Sequence, residues 1–143
     1  MATYSNNMKQ DLPSDREAVL RVAAMPKESN TGGSIFGGWL MGQVDIAAGI
    51  IAIQRAAGRV ATVAVNNFHF REAVLAGDLV SCYAEVIEVG RTSMTIHVDV
   101  YSQRHLGAPG AAVLHVADAE LTYVALDDER RPRTVPEESV DEP

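Results

Sequence analysis

Residues 37–58, GGWLMGQVDIAAGIIAIQRAAG, decide the fold. Gly37-Gly38 opens the stretch, Gly58 closes it as a C-terminal glycine does, and no proline interrupts it. Between Trp39 and Ile53 apolar residues fall on nearly every face, and the one charged side chain is Asp45. A helix that is apolar all round is expected to be buried on all sides. The run is too short for a membrane span, and an acid sits near its middle. It reads as a single central helix wrapped by other structure.

Working outward, the rest of the chain supplies the wrapper. Upstream, Ala18 to Met25 reads as a short strand ending at Pro26, and Lys27 to Ser34 as a loop with Asn30, Gly32 and Gly33. Downstream, Val60 to Val65 is β-branched, and Leu79 to Val89 follows a Gly77-Asp78 turn signal. Met94, Ile96, Val98 and Val100 alternate with Thr95, His97, Asp99 and Tyr101, the period of a half-buried strand. After a turn at Gly107 to Gly110, Ala112 to Leu126 forms a last strand. Its apolar phase switches near Ala117–Asp118, which predicts a bulge. Four consecutive strands after one helix argue for an α+β fold with an antiparallel sheet. A long antiparallel sheet wrapped around one central helix is the hotdog fold. The expected organisation is a tail over 1–15, a hotdog domain over 16–136 and an acidic tail over 137–143.

Composition narrows the function. The chain has 143 residues, 47% hydrophobic and 22% charged, as in an ordinary globular domain. Its net charge of −7 disfavours a nucleic-acid partner. The single cysteine, Cys82, fits a reducing compartment, and the first fifteen residues hold no signal-like apolar run, so a cytoplasmic setting with no membrane partner is expected.

Against that background Asp45 stands out, because a carboxylate inside an apolar helix is costly unless it is paired or hydrogen-bonded. Two readings account for it: a structural ion pair, for instance across a subunit interface, or a catalytic carboxylate acting as a base for water or as a nucleophile. Gly37 and Gly38 also have two readings, a tight turn into the helix or a close-approach oxyanion site at a helix N-terminus. Asp45 lies seven or eight residues beyond them, roughly 10–12 Å along the axis. Hydrogen-bond reach is about 3 Å, so one carbonyl cannot touch both on the same helix. If both act, helices from two subunits must meet, and a homodimer with shared active sites follows.

The run Asn30-Thr31-Gly32-Gly33-Ser34-Ile35-Phe36-Gly37-Gly38-Trp39-Leu40-Met41-Gly42-Gln43-Val44-Asp45 resembles the signature of bacterial YciA-type acyl-CoA thioesterases. The similarity runs from about Val19 to Pro136 and includes Gly58-Arg59-Val60, Thr62-Val63, Gly77-Asp78 and Tyr123-Val124-Ala125-Leu126-Asp127. The resemblance implies a hotdog fold and hydrolysis of acyl-CoA to free acid and CoA without a metal or other cofactor. It also implies a dimer assembled as a trimer of dimers. Asp45 falls on the catalytic acid, Gly37 and Gly38 on the helix end facing the thioester carbonyl, and Asn30 on a loop asparagine near the reacting group. Gly90-Arg91-Thr92-Ser93 resembles a turn near the CoA groove, and Arg91 with Arg130, Arg131 and Arg133 are the candidate phosphate contacts.

Three positions depart from the family pattern: Asn66 stands where an acid is usual, Glu72 where a base is usual, and Ala73 where proline is usual. They bear on substrate range, and they keep open a non-catalytic acyl-CoA binding module. A hotdog hydratase or dehydratase is the remaining alternative, but it would normally want a histidine beside the acid, and the helix has none. His69, His97, His105 and His115 show no HxxxH or HxH pairing, which gives a metal site weak support. Cys82 reads as a small hydrophobe, and Ser34 lacks the glycine context of a nucleophile elbow. The glycine-rich run before the helix lacks the Lys-Ser or Lys-Thr of a P-loop.

Overall fold

A computed structural model describes residues 11–138. Most of the two expected tails therefore lies outside the described residues. Five strands and one long helix follow the expected order: β1 (Leu20–Ala23), α1 (Gly37–Ala56), β2 (Val60–Phe70), β3 (Leu79–Val89), β4 (Ser93–Arg104) and β5 (Ala112–Ala125), with a single 3₁₀ turn at Pro26–Glu28. The strands form one antiparallel sheet in the order β1-β3-β4-β5-β2. Its inner face supplies Met94, Ile96, Val98, Val100, Ala119, Leu121 and Tyr123, which enclose Leu40, Val44, Ala47, Ala48, Ala52 and Ala56 of α1. Small residues on that helix stripe let the helix lie close against the sheet. Among the described residues no helix is long and apolar enough to cross a membrane.

The helix end differs in detail from the glycine-closed helix expected. The left-handed residue is Ala57, φ 53°, not Gly58. The Ala57 amide donates to Gln54 O and the Gly58 amide to Ile53 O, a Schellman closure with alanine at the strained position. Gly58 serves another purpose: a Cβ there would lie 2.7 Å from Arg133 Nη2, which donates to Ala56 O at 2.7 Å.

Two other expectations need correction, and the bulge expected in β5 is present. The strand at Val60 does not stop at Val65. Asn66-Asn67 breaks the apolar alternation, but pairing with β5 continues to Phe70 past two irregularities, between Thr62 and Ala64 and between Val65 and Asn67. The bulge in β5 is centred on Val116, because Val100 faces Ala117 while Tyr101 faces His115. The Val116 carbonyl accepts from the amides of Arg71 and Glu72, so the bulge anchors the chain leaving β2.

Most consequential, α1 is not buried all round by its own chain. Met41, Ile46 and Ile53 are 39%, 52% and 49% exposed, and Val63, Val65 and Phe70 of edge strand β2 are comparably open. An isolated soluble domain rarely leaves that much apolar surface uncovered.

The Gly77-Asp78 turn is held from below. Asp78 is buried and takes two hydrogen bonds from Arg104, Nε to Oδ1 at 3.0 Å and Nη2 to Oδ2 at 2.8 Å, plus one from the Leu75 amide. Arg104→Ala strands this carboxylate, and we expect a loss of about 3 kcal/mol in urea unfolding, the lower end for a broken buried pair. An unchanged midpoint would show that water replaces the guanidinium without cost.

Candidate functional site

Asp45 sits on α1 where the helix passes β2 and β5. Gly49, one turn further on, leaves room for the Tyr123 ring, since a Cβ there would stand 3.7 Å from it. The Tyr123 hydroxyl reaches Asp45 twice, at 2.6 Å to Oδ1 and 2.8 Å to the backbone carbonyl. Thr62 Oγ1 donates to the same Oδ1 at 2.7 Å. Both hydroxyls thus converge on one carboxylate oxygen, while Oδ2 has no partner among the described residues. Burial first, and the hydrogen bond to Asp45 second, push the Tyr123 phenol above its ordinary value, so it stays a proton donor.

Asp45 therefore has two neutral hydroxyl partners and no cation among the described residues. Within the described residues of this chain it forms no ion pair. Removing the phenol proton should loosen the carboxylate without touching the substrate's binding surfaces. For Tyr123→Phe we expect kcat to fall about tenfold, the equivalent of one good hydrogen bond, with KM little changed. A rise in KM with kcat preserved would assign Tyr123 to binding instead.

At the N-terminal end of α1 the cap residue is Phe36, and no side chain caps the helix. The Trp39 and Leu40 amides return to Phe36 O, and the amides of Gly37 and Gly38 find no partner among the described residues. Beside them lies a cavity of about 290 Å³, lined by Ser34, Ile35, Gly37, Leu40 and Phe70, with Arg71 at its edge. A Cβ on Gly37 would come within 3.2 Å of Phe70 Cζ, whereas one on Gly38 would meet nothing. Gly37 is thus the residue that keeps this mouth open.

The remaining candidates are spread out. Asn30 is tied within its own loop: its Oδ1 accepts from the Gly32 and Ser34 amides and its Nδ2 donates to Ser34 Oγ, so no bond joins it to Asp45. Gly90-Arg91-Thr92-Ser93 is the β3–β4 turn, closed by the Gly90 amide on Ser93 O. The Thr92 and Arg91 carbonyls hold Ala125 and Val135, which fastens the C-terminal segment to this turn. Arg133 bonds to the carbonyls of Ala56 and Leu126, and Arg131 pairs with Glu129. The side chains of Arg91 and Arg130 are exposed and without a partner among the described residues.

The departures also have places. Asn66 donates to Thr122 Oγ1, Glu72 is buried, and the Ala73 carbonyl accepts from Arg104. Burial pushes the Cys82 thiol up to about 12, which makes it an inert core residue. The reading of the sequence missed Thr62 and Tyr123 as members of the site. Both lie in strands whose alternation marks them only as sheet residues. Their one signal was membership in the segments Thr62-Val63 and Tyr123-Val124 that carry the resemblance.

Comparison with known proteins identifies the family and the fold. The thioesterase superfamily model matches residues 32–108. The acyl-CoA thioester hydrolase YciA of Escherichia coli K12 is 41% identical over 138 residues, covering 96% of this chain and 100% of the relative. Among solved structures, an Asp-to-Ala mutant of a hexameric, broad-specificity acyl-coenzyme A thioesterase superposes with a TM-score of 0.80 at 41% identity, covering 85% of this chain and 87% of the other. A hexameric hotdog-fold thioesterase of Campylobacter jejuni gives 0.82 at 35% identity, covering 87% and 94%.

Proposed function

The chain belongs to the thioesterase superfamily as an acyl-CoA thioester hydrolase of the hotdog fold, and on that premise we propose that Asp45 carries the reaction. The observation behind this is the division of its carboxylate: Oδ1 is held by Thr62 and Tyr123, and Oδ2 is left free to act. Oδ2 takes a proton from the attacking water, or itself attacks the thioester carbon to give an anhydride that water opens. Either way the C–S bond breaks, the acyl group leaves as the free acid and CoA leaves as the thiol. Water and a carboxylate suffice, so the chemistry needs no cofactor.

The developing oxyanion needs donors, and the amides of Gly37 and Gly38 supply them. They lie on the same helix as Asp45, roughly 10–12 Å away by helical rise, so in our reading they come from the partner subunit. The exposed apolar faces of α1 and β2, beside Asp45 in sequence and in the fold, support such a partner. A trimer of dimers then parallels the hexamers described for the structural neighbours. Asn30 stands on the loop leading into the helix mouth. Arg91 of the β3–β4 turn and Arg130 of the C-terminal segment, exposed and without a partner among the described residues, are offered to the CoA phosphates. Gly90, Thr92 and Ser93 shape that turn, and Arg131 and Arg133 hold the segment in place. The lone buried Cys82 suits a cytoplasmic setting.

The test is release of free thiol from a panel of acyl-CoAs of increasing chain length. Turnover of at least one is expected. Binding of CoA with no thiol release at any length would leave a binding module and end the hydrolase reading.

A further inference from the structure

The outer face of the sheet, turned away from α1, carries a second cluster that the thioester site does not use. On β4, His97 and Asp99 are two residues apart and share that face. Asp118 of β5 lies directly opposite Asp99, His69 of β2 directly opposite Asp118, and His115 opposite Tyr101. His115 and Asp118 are three residues apart, which would place them on opposite faces of a regular strand. The bulge at Val116 adds one residue between them and turns both outward. The phase switch in β5 thus delivers a histidine and an aspartate to one spot.

The geometry within the cluster is that of ligands around a centre. His115 Nε2 stands 3.1 Å from Asp99 Oδ1, and the donor atoms of Asp99, His115 and Asp118 all lie within 4.8 Å of one another. Each carboxylate has its Oδ2 held by an arginine, Asp99 by Arg16 and Asp118 by Arg71. His97 Nε2 supports the same Asp99 Oδ2 at 3.2 Å, and His69 Nδ1 lies 3.2 Å from Asp118 Oδ1. The His115 ring is stacked on Tyr101 at 4.8 Å, which fixes where its nitrogen points. Outer contacts that orient ligand side chains in this way are the supporting shell of a metal site.

Charge points in the same direction. Two aspartates directly opposite on neighbouring strands repel. Glu85, 3.9 Å from Arg16, and Glu120, 3.9 Å from His97, add two more carboxylates. Two arginines face four acids among the described residues, an excess of carboxylate over guanidinium that a bound dication would offset.

We propose that Asp99, His115 and Asp118 bind one divalent transition-metal ion, with His97 as a supporting contact to Asp99. A mixed imidazole and carboxylate set suits zinc or its analogues rather than calcium or magnesium. The ion would tie β4 to β5 across the bulge, on the sheet face away from Asp45, as a structural element independent of the thioesterase chemistry. Histidines sought in pairs along one strand could not reveal it, because the ligands come from two strands and one pair spans a bulge.

Cobalt titration of tag-free, chelator-stripped protein tests this. We expect visible d–d absorption saturating at about one ion per chain, competition by zinc, and a zinc-dependent rise in Tm. His115→Phe, which keeps the ring stack, and Asp99→Asn should both abolish the signal, while His105→Asn, remote in the β4–β5 turn, should retain it. Absence of stoichiometric binding in the unaltered protein overturns the proposal whatever the variants do. So does binding that survives both ligand changes, or that disappears with His105.

Discussion

Replacing Asp45 by asparagine should lower thiol release from acyl-CoA by about 10³-fold, within the range for loss of a positioned base. The substitution isolates charge from shape. Asparagine keeps an oxygen where Oδ1 stands, so Thr62 and Tyr123 keep their acceptor. In Asp45→Ala the phenol still donates to the carbonyl of residue 45. Neither change strands a buried donor, and both proteins should unfold close to the unaltered midpoint. Steady-state kinetics beside a urea curve therefore separates a chemical role from a packing role. Full turnover by either variant would remove Asp45 from the reaction, although the chain's membership in the family would stand.

The same carboxylate can report a covalent route. In a single turnover in heavy-oxygen water, label found in the Asp45 carboxylate requires a covalent acyl intermediate. Label confined to the released acid fits both water activated by a base and an anhydride opened at its acyl carbon. The pinning of Oδ1 bears on both routes, since it leaves one oxygen with lone pairs to give and holds it in one direction.

The helix and the order of strands were legible because each has a period. The apolar run of α1 and the alternation of β4 follow from burial alone, and burial is written in residue type. The site was legible only at its costliest point: an acid in an apolar helix violates the pattern, so Asp45 shows itself. Thr62 and Tyr123 obey the pattern. A tyrosine on the inner face of a strand looks like core until its hydroxyl is seen to end at Asp45, and that meeting depends on packing a helix across β5. The end of β2 was misread for a related reason. Asn66 and Asn67 interrupt the apolar alternation, yet strand pairing is made by the backbone, which does not require it. The uncovered face of α1 could not be separated from the buried one, because a surface meant for another copy of the chain has the composition of a core.

A mixture of two inactive variants should recover activity if the site is shared. Asp45→Ala removes the acid. Gly37→Val closes the helix mouth, because the first added carbon already approaches Phe70 to 3.2 Å and the two methyls must enter the cavity beside it. Each homodimer then lacks one half of every site. In a heterodimer the Gly37→Val subunit still offers Asp45, and the Asp45→Ala subunit still offers an open mouth, so one of its two sites is whole. Random reassortment makes half of the dimers mixed, and about a quarter of the unaltered rate should return. No recovery in heterodimers verified by mass would put the acid and the oxyanion donors in one subunit. That arrangement would need donors other than Gly37 and Gly38, because seven or eight residues of helix, roughly 10–12 Å, separate them from Asp45. Recovery, in contrast, would explain the uncovered apolar faces of α1 and β2: the surface that leaves the single chain incomplete is the one that brings the second half of the site.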